Sequence, residues 1–141
     1  MSGNRLAVPA AVLGVLFLVS ALAPSAPKEE KGAPPWELAR GKLEAAQKTC
    51  MAIALEYLDG KATVEQVHQW SRRWMDAERE ASSRKADQVE ALKNHVSRMR
   101  QLEQAAQERL QKRKGLSSDV PAAEYHRLEA ELALSRAKSS R

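Results

Sequence analysis

The chain has 141 residues, with 23 Lys and Arg against 18 Asp and Glu, three Trp, two Tyr, one Phe and a single Cys. Once an apolar N-terminal segment is set aside, about 100 residues remain, enough for one small domain with a modest core. Few aromatics and much Ala, Leu, Glu, Lys, Arg and Gln exclude a sheet-rich fold, and interspersed acids and bases beyond Lys28 make the net +5 a property of solvated helix faces rather than a nucleic-acid footprint.

Residues 1–5 are polar with one basic side chain, and residues 6–23 form an uncharged apolar run interrupted by Pro9 and Gly14. This pattern predicts a signal peptide or membrane anchor over residues 1–23. Val19-Ser20-Ala21 is a better cleavage site than Ala21-Leu22-Ala23, because Pro24 would follow the second cut. Residues 24–35 are a linker rich in Pro, Ala and charge with nothing to bury.

The helical domain is expected over residues 36–138. From 36 to 58, Trp36, Ala39, Leu43, Ala46, Cys50, Ile53 and Tyr57 recur at alternating three and four, a heptad seam. Cys50 can form no internal disulfide, and its place on this seam reads as a buried small apolar group. Gly60 can take the left-handed backbone that closes the helix, and Thr63 with Gln66 is a capping box opening the next. Residues 64–112 contain no Pro or Gly and read as one long helix. Its seam is Val64, Val67, Trp70, Trp74, Ala77 and Ala81, then, after the polar step Ser82-Ser83-Arg84-Lys85, Val89, Leu92, Val96, Met99, Leu102, Ala106 and Leu110. The step is expected to change the covered face of a continuous helix. A break there, giving a compact bundle, is the alternative. A second turn at 115–118 leads into a helix over 118–138, capped by Ser117 or Ser118, with Val120, Tyr125, Leu128, Leu132 and Leu134 as its apolar positions. The expected fold is all-α: an antiparallel coiled-coil-like rod in which one long helix is flanked by two shorter ones.

A shift of 53 residues lays Gln66-Val67 on Asp119-Val120, Asp76-Ala77-Glu78 on Glu129-Ala130-Glu131, and Tyr57 on Leu110. The first copy, Tyr57-Leu58-Asp59-Gly60 followed by Val67, Trp70, Trp74 and Asp76-Ala77-Glu78, resembles the helical-hairpin repeat of TolC-type outer-membrane efflux proteins. The second copy has Arg113 where the turn Gly belongs. The resemblance implies helical hairpins and a cell-envelope location. It does not imply transport, since the chain is far shorter than an efflux subunit and has no strands for a barrel.

No nucleophile motif, paired-acid context or phosphate loop appears, so no catalytic residue and no enzyme activity is expected. His68, His95 and His126 are too far apart to share one helix face, and a joint site would have to be assembled by packing. Glu65 with His68 and His126 with Glu129 are the local pairs, and solvated or half-buried histidines, with no metal and no cofactor, are expected. Trp70 and Trp74, one turn apart, pack against Ile53, Leu55 and Tyr57 or form an apolar patch. With Trp36 and Tyr125 they are the candidate interaction residues. The chain is thus expected to be a non-catalytic interaction or scaffold protein of the bacterial cell envelope. It would be periplasmic or secreted after signal cleavage, or anchored to the inner membrane, and would self-associate or bind an envelope protein. A periplasmic holdase-type chaperone and a metal-responsive helical hairpin are the alternatives.

Overall fold

The computed structural model describes residues 32–140, so the expectations for the signal or anchor and most of the linker lie outside the described residues. Among the described residues there are four α-helices and no strand: α1 (Pro35–Leu58), α2 (Val64–Glu80), α3 (Lys85–Gln111) and α4 (Asp119–Ser139). None of these helices is long and apolar enough to cross a membrane.

The chain is all-α, but the single shaft over 64–112 is not there. It is cut at the polar step, and α3 folds back antiparallel to α2. Local chemistry explains the cut. The Ser82 hydroxyl accepts from the Arg84 amide at 3.2 Å and donates to Asp87 Oδ2 at 2.5 Å, offering the backbone bonds that a continuing helix would otherwise make. Gln88 donates its side-chain amide to the Arg79 carbonyl at 2.6 Å and so satisfies an orphan at the end of α2. Arg84, in extended backbone, starts α3 with its guanidinium on Asp87. Folding back lets α2 be covered on two sides, which a flanked rod would not permit.

The other two connections are the same motif used twice. After α1, the Lys61 amide reaches the Glu56 carbonyl at 2.8 Å and the Gly60 amide reaches the Tyr57 carbonyl at 3.0 Å, with Gly60 at φ 77°. After α3, the Lys114 amide reaches Arg109 at 2.8 Å and the Arg113 amide reaches Leu110 at 2.9 Å, with Arg113 at φ 55°. Both are Schellman closures, and Arg113 holds the left-handed position that Gly60 holds in the first. The Thr63–Gln66 capping box opens α2 as expected. Ser118, by contrast, makes no side-chain cap; Asp119 instead accepts from the Leu116 amide at 3.3 Å.

Neighbouring helices run antiparallel, tied by Lys42–Glu80 between α1 and α2 and by Arg100–Glu131 and Arg127–Glu103 between α3 and α4. The α2–α3 hairpin is central, with α1 mainly on α2 and α4 mainly on α3. The outer helices do not pack along each other; Tyr57, whose hydroxyl lies 3.4 Å from Asp119, links their ends. Burial first, then the Asp119 carboxylate, pushes that phenol up to about 12. The Arg109 guanidinium stands over its ring at 4.6 Å.

The core gathers Tyr57, Val64, Val67, Val96, Met99, Leu102, Ala106, Ala123 and Ala130. On α4 Val120 and Leu134 pack against this core as expected, but the rest of the expected apolar face is corrected. Ala123, His126 and Ala130 point inward, while Tyr125, Leu128 and Leu132 face out. Small side chains at Ala106, Ala123 and Ala130 let α3 and α4 approach closely, and the ion pairs of Arg100 and Arg127 fix the rotation that buries them. Apolar size was the wrong guide where helix axes come close.

Replacing Arg113→Gly removes the cost of a side chain in the left-handed region and stabilises the fold by about 1 kcal/mol. The reverse change at the sister turn, Gly60→Ala, destabilises by a similar amount, and its added Cβ would also stand 3.3 Å from Arg109 Nη2. Urea unfolding midpoints of the two variants measure both; movement in the same direction would contradict the paired-turn reading.

Candidate functional site

The bundle interior is polar at one level. His68 of α2, His95 of α3 and His126 of α4 are all buried, where solvated or half-buried side chains were expected. Each sits three or four residues from buried neighbours on its own helix: Val64 and Ser71 around His68, Leu92 and Met99 around His95, Ala123 and Ala130 around His126. The ordinary helix period therefore carries them inward.

The rings of His68 and His126 stack with centroids 3.7 Å apart and planes within 11°, and His95 lies 6.0 Å from His68 at a tilt of 37°. Glu65, one turn before His68, reaches both: its Oε2 is 3.1 Å from His126 Nε2 and its Oε1 is 3.7 Å from His68 Nδ1. Glu129 lies on the other side of His68, 3.6 Å from Nε2. Neither nitrogen of His68 has a hydrogen-bond partner, nor does Nδ1 of His126. Burial, then the neighbouring His126, holds His68 below its usual value, against the pull of Glu65 and Glu129. Burial alone would raise Glu65, but hydrogen bonding from Gln69 and the charges of His126 and His68 bring it below the usual carboxylate value.

His95 belongs to a separate relay. The fully buried Ser71 hydroxyl lies 2.8 Å from His95 Nδ1 and accepts from Arg98 Nε at 2.8 Å. Arg98 also donates to the Ser71 carbonyl, approaches Glu78 at 3.8 Å and stacks over Trp74 at 4.0 Å. The hydroxyl that accepts from Arg98 keeps a second lone pair and its own proton, so its bond with His95 Nδ1 runs in the direction set by the ring's tautomer. Burial first, then Arg98, pushes His95 down to about 3.

Two open grooves flank this interior. One, of about 650 Å³, lies between α1 and the α2–α3 hairpin and is lined by Cys50, Met51, Ala54, Tyr57, Trp74 and Leu102 among others. The other, of about 690 Å³, lies between α2 and α4, with His68 and His95 in its wall and Tyr125, Leu128 and Leu132 along its side. Cys50 is buried, as its seam position implied, and burial raises its thiol.

The four residues expected to mediate interaction do not converge. Trp36 is exposed on the first turn of α1, Tyr125 is exposed on α4, and half-buried Trp74 lines the α1 groove. Trp70 lines neither groove and carries the Arg73 guanidinium over its ring at 4.5 Å. The cluster that the fold does assemble is Glu65, His68 and His126, whose ligating atoms lie within 4.8 Å of one another. The sequence carried a signal for His68, one turn beyond the seam position Val64, but none for His126, whose buried neighbours Ala123 and Ala130 lie off the face expected on α4.

The unfolded chain takes up a proton on His95 below its ordinary value of 6.5, whereas the folded chain does so only near 3. The stability this neutral ring contributes is therefore complete above that ordinary value and is lost progressively as pH falls toward the lower one, and His68 acts in the same direction. Urea unfolding between about pH 7.5 and about pH 5, above most carboxylate titration, should show falling stability with a slope of up to about 1.4 kcal/mol per pH unit for each excluded proton. His95→Gln should flatten that slope, and a wild-type chain equally stable at both ends of the range would contradict the assignment. Compared with known proteins, the chain matches no family model, and no curated protein or solved structure is similar to it.

Proposed function

We propose that this chain is a non-catalytic helical interaction module of the cell envelope that acts by binding a second copy of itself. The observation that carries the reading is the pair of apolar stripes left bare on the outer helices. On α1, Met51, Leu55 and Leu58 are 61%, 65% and 54% exposed at spacings of four and three. On α4, Tyr125, Leu128 and Leu132 are 63%, 51% and 49% exposed at spacings of three and four. That spacing is the pattern another α-helix packs against, and each stripe borders a groove rather than standing alone.

A four-helix chain whose first and last helices do not pack along each other leaves open the surface that a closed bundle would bury. A second copy brings the missing helices. The rod that the sequence suggested as a scaffold has no part in this reading; what supports it is the open edge of a compact bundle. Envelope placement rests on the apolar run at residues 6–23 and the linker behind it, in keeping with the TolC-like hairpin pattern.

Sedimentation of the full chain over a range of concentrations should show a reversible dimer or larger oligomer, and Leu55→Glu or Leu128→Glu should weaken it by about tenfold or more, the effect of about 1.4 kcal/mol. A chain that stays monomeric throughout overturns self-association. If that monomer also suppresses aggregation of an unrelated unfolded protein at near-stoichiometric amounts, the holdase reading takes its place.

A further inference from the structure

We propose that Glu65, His68 and His126 form a binding site for one divalent transition-metal cation of the zinc, cobalt and nickel class, at the crossing of α2 and α4. The site does not depend on self-association.

Three observations converge on it. The first is composition: two imidazoles and a carboxylate are the donor set that borderline cations take, with a fourth position left for water. The second is spacing. A tetrahedral ion with bonds of about 2.0–2.1 Å needs donor atoms about 3.3–3.4 Å apart. Glu65 stands 3.1 Å from His126 Nε2 through Oε2 and 3.7 Å from His68 Nδ1 through Oε1, and one ligating atom from each of the three residues lies within 4.8 Å of the others, so the set has to tighten around an ion. The third is the unmet demand of His68. This side chain is 6% exposed, faces into the cluster and has no hydrogen-bond partner on either nitrogen. A buried polar ring so left is costly, and a cation on Nδ1 removes the cost on that side.

Glu129 completes the arrangement. Its carboxylate lies 3.6 Å from His68 Nε2, the nitrogen turned away from Glu65. When Nδ1 holds the ion, the proton sits on Nε2 and points at Glu129, the carboxylate support that metal-bound histidines ordinarily have. The burial that keeps His68 neutral agrees with this, because only the neutral ring can donate a lone pair.

The stack sets a condition on loading. Rings 3.7 Å apart and within 11° of parallel cannot both direct an in-plane lone pair at one point. One ring has to turn as the ion enters, and Glu65, half-exposed at the rim, can follow it. The ion then joins α2, which packs against α1 and α3, to α4, which packs mainly against α3 and touches α2 little.

The test is titration of the reduced full chain with zinc alone by calorimetry and with cobalt alone by visible absorption. One ion per chain is expected, with ligand-field bands of a four-coordinate nitrogen and oxygen site and no thiolate band. Glu65→Gln and His126→Gln should each weaken binding about tenfold or more, and Glu129→Gln less, through loss of support to His68. Cys50→Ala should leave stoichiometry and affinity unchanged. Glu65 is exposed, so Glu65→Gln decides the matter even if a histidine variant fails to fold. No binding by the wild-type chain, binding unaffected by Glu65→Gln and His126→Gln, or binding lost with Cys50→Ala would each overturn the site.

Discussion

Everything in this molecule depends on the reversal between Ala81 and Lys85. Four polar residues in a run otherwise made of helix formers let the chain turn through Ser82 and send α3 back along α2. Only then can Met99 and Ser71 be sealed from water and Leu102 meet Val67 within one core. The helix-to-helix contact so created offsets the interrupted backbone bonds, since each large apolar side chain fully buried contributes about 1.5–3 kcal/mol. Propensity favoured continuation; burial favoured the turn, and burial was the larger quantity.

The same reversal brings together polar groups that are distant in sequence. Ser71 bonds to both His95 and Arg98, and Arg98 pairs with Glu78, so this part of the interior is a structural network, in which Glu78 Oε2 and Trp74 Nε1 keep no hydrogen-bond partner. The Glu65, His68 and His126 group is different, because its histidines keep unpaired nitrogens beside carboxylates. A small core has little stability to spare for orphaned polar groups. That contrast between two neighbouring clusters is why the second reads as a binding site and the first as support.

The outer helices follow another logic. Close approach of α3 and α4 is achieved with Ala106, Ala123 and Ala130, and the large side chains of α4 are turned out as a consequence. On α1, Ala46, Cys50 and Tyr57 are buried, and Met51, Leu55 and Leu58 form an exposed stripe beside them, with Met51 and Leu58 bordering the groove that Cys50 and Tyr57 also line. Both outer helices are therefore apolar on two faces, one used within the chain and one left at its edge.

An all-helical chain, the glycine closure after α1 and the capping box before α2 could be read from the residues alone, because glycine, threonine and heptad spacing act over a few residues and need no partner, whereas the matching closure at Arg113 carries no glycine to announce it. The sequence also marked the polar step, though not its meaning. Whether that step bends a long helix or ends it depends on how much surface each alternative buries, and this is a property of packing between segments far apart in the chain. The same holds for the histidines. The registry of His68 with Val64 and of His95 with Leu92 and Met99 was legible, but that of His126 was not, and neither was their meeting, since the hairpin reversal and the small-residue contact of α3 with α4 together decide which faces of α2, α3 and α4 share one interior.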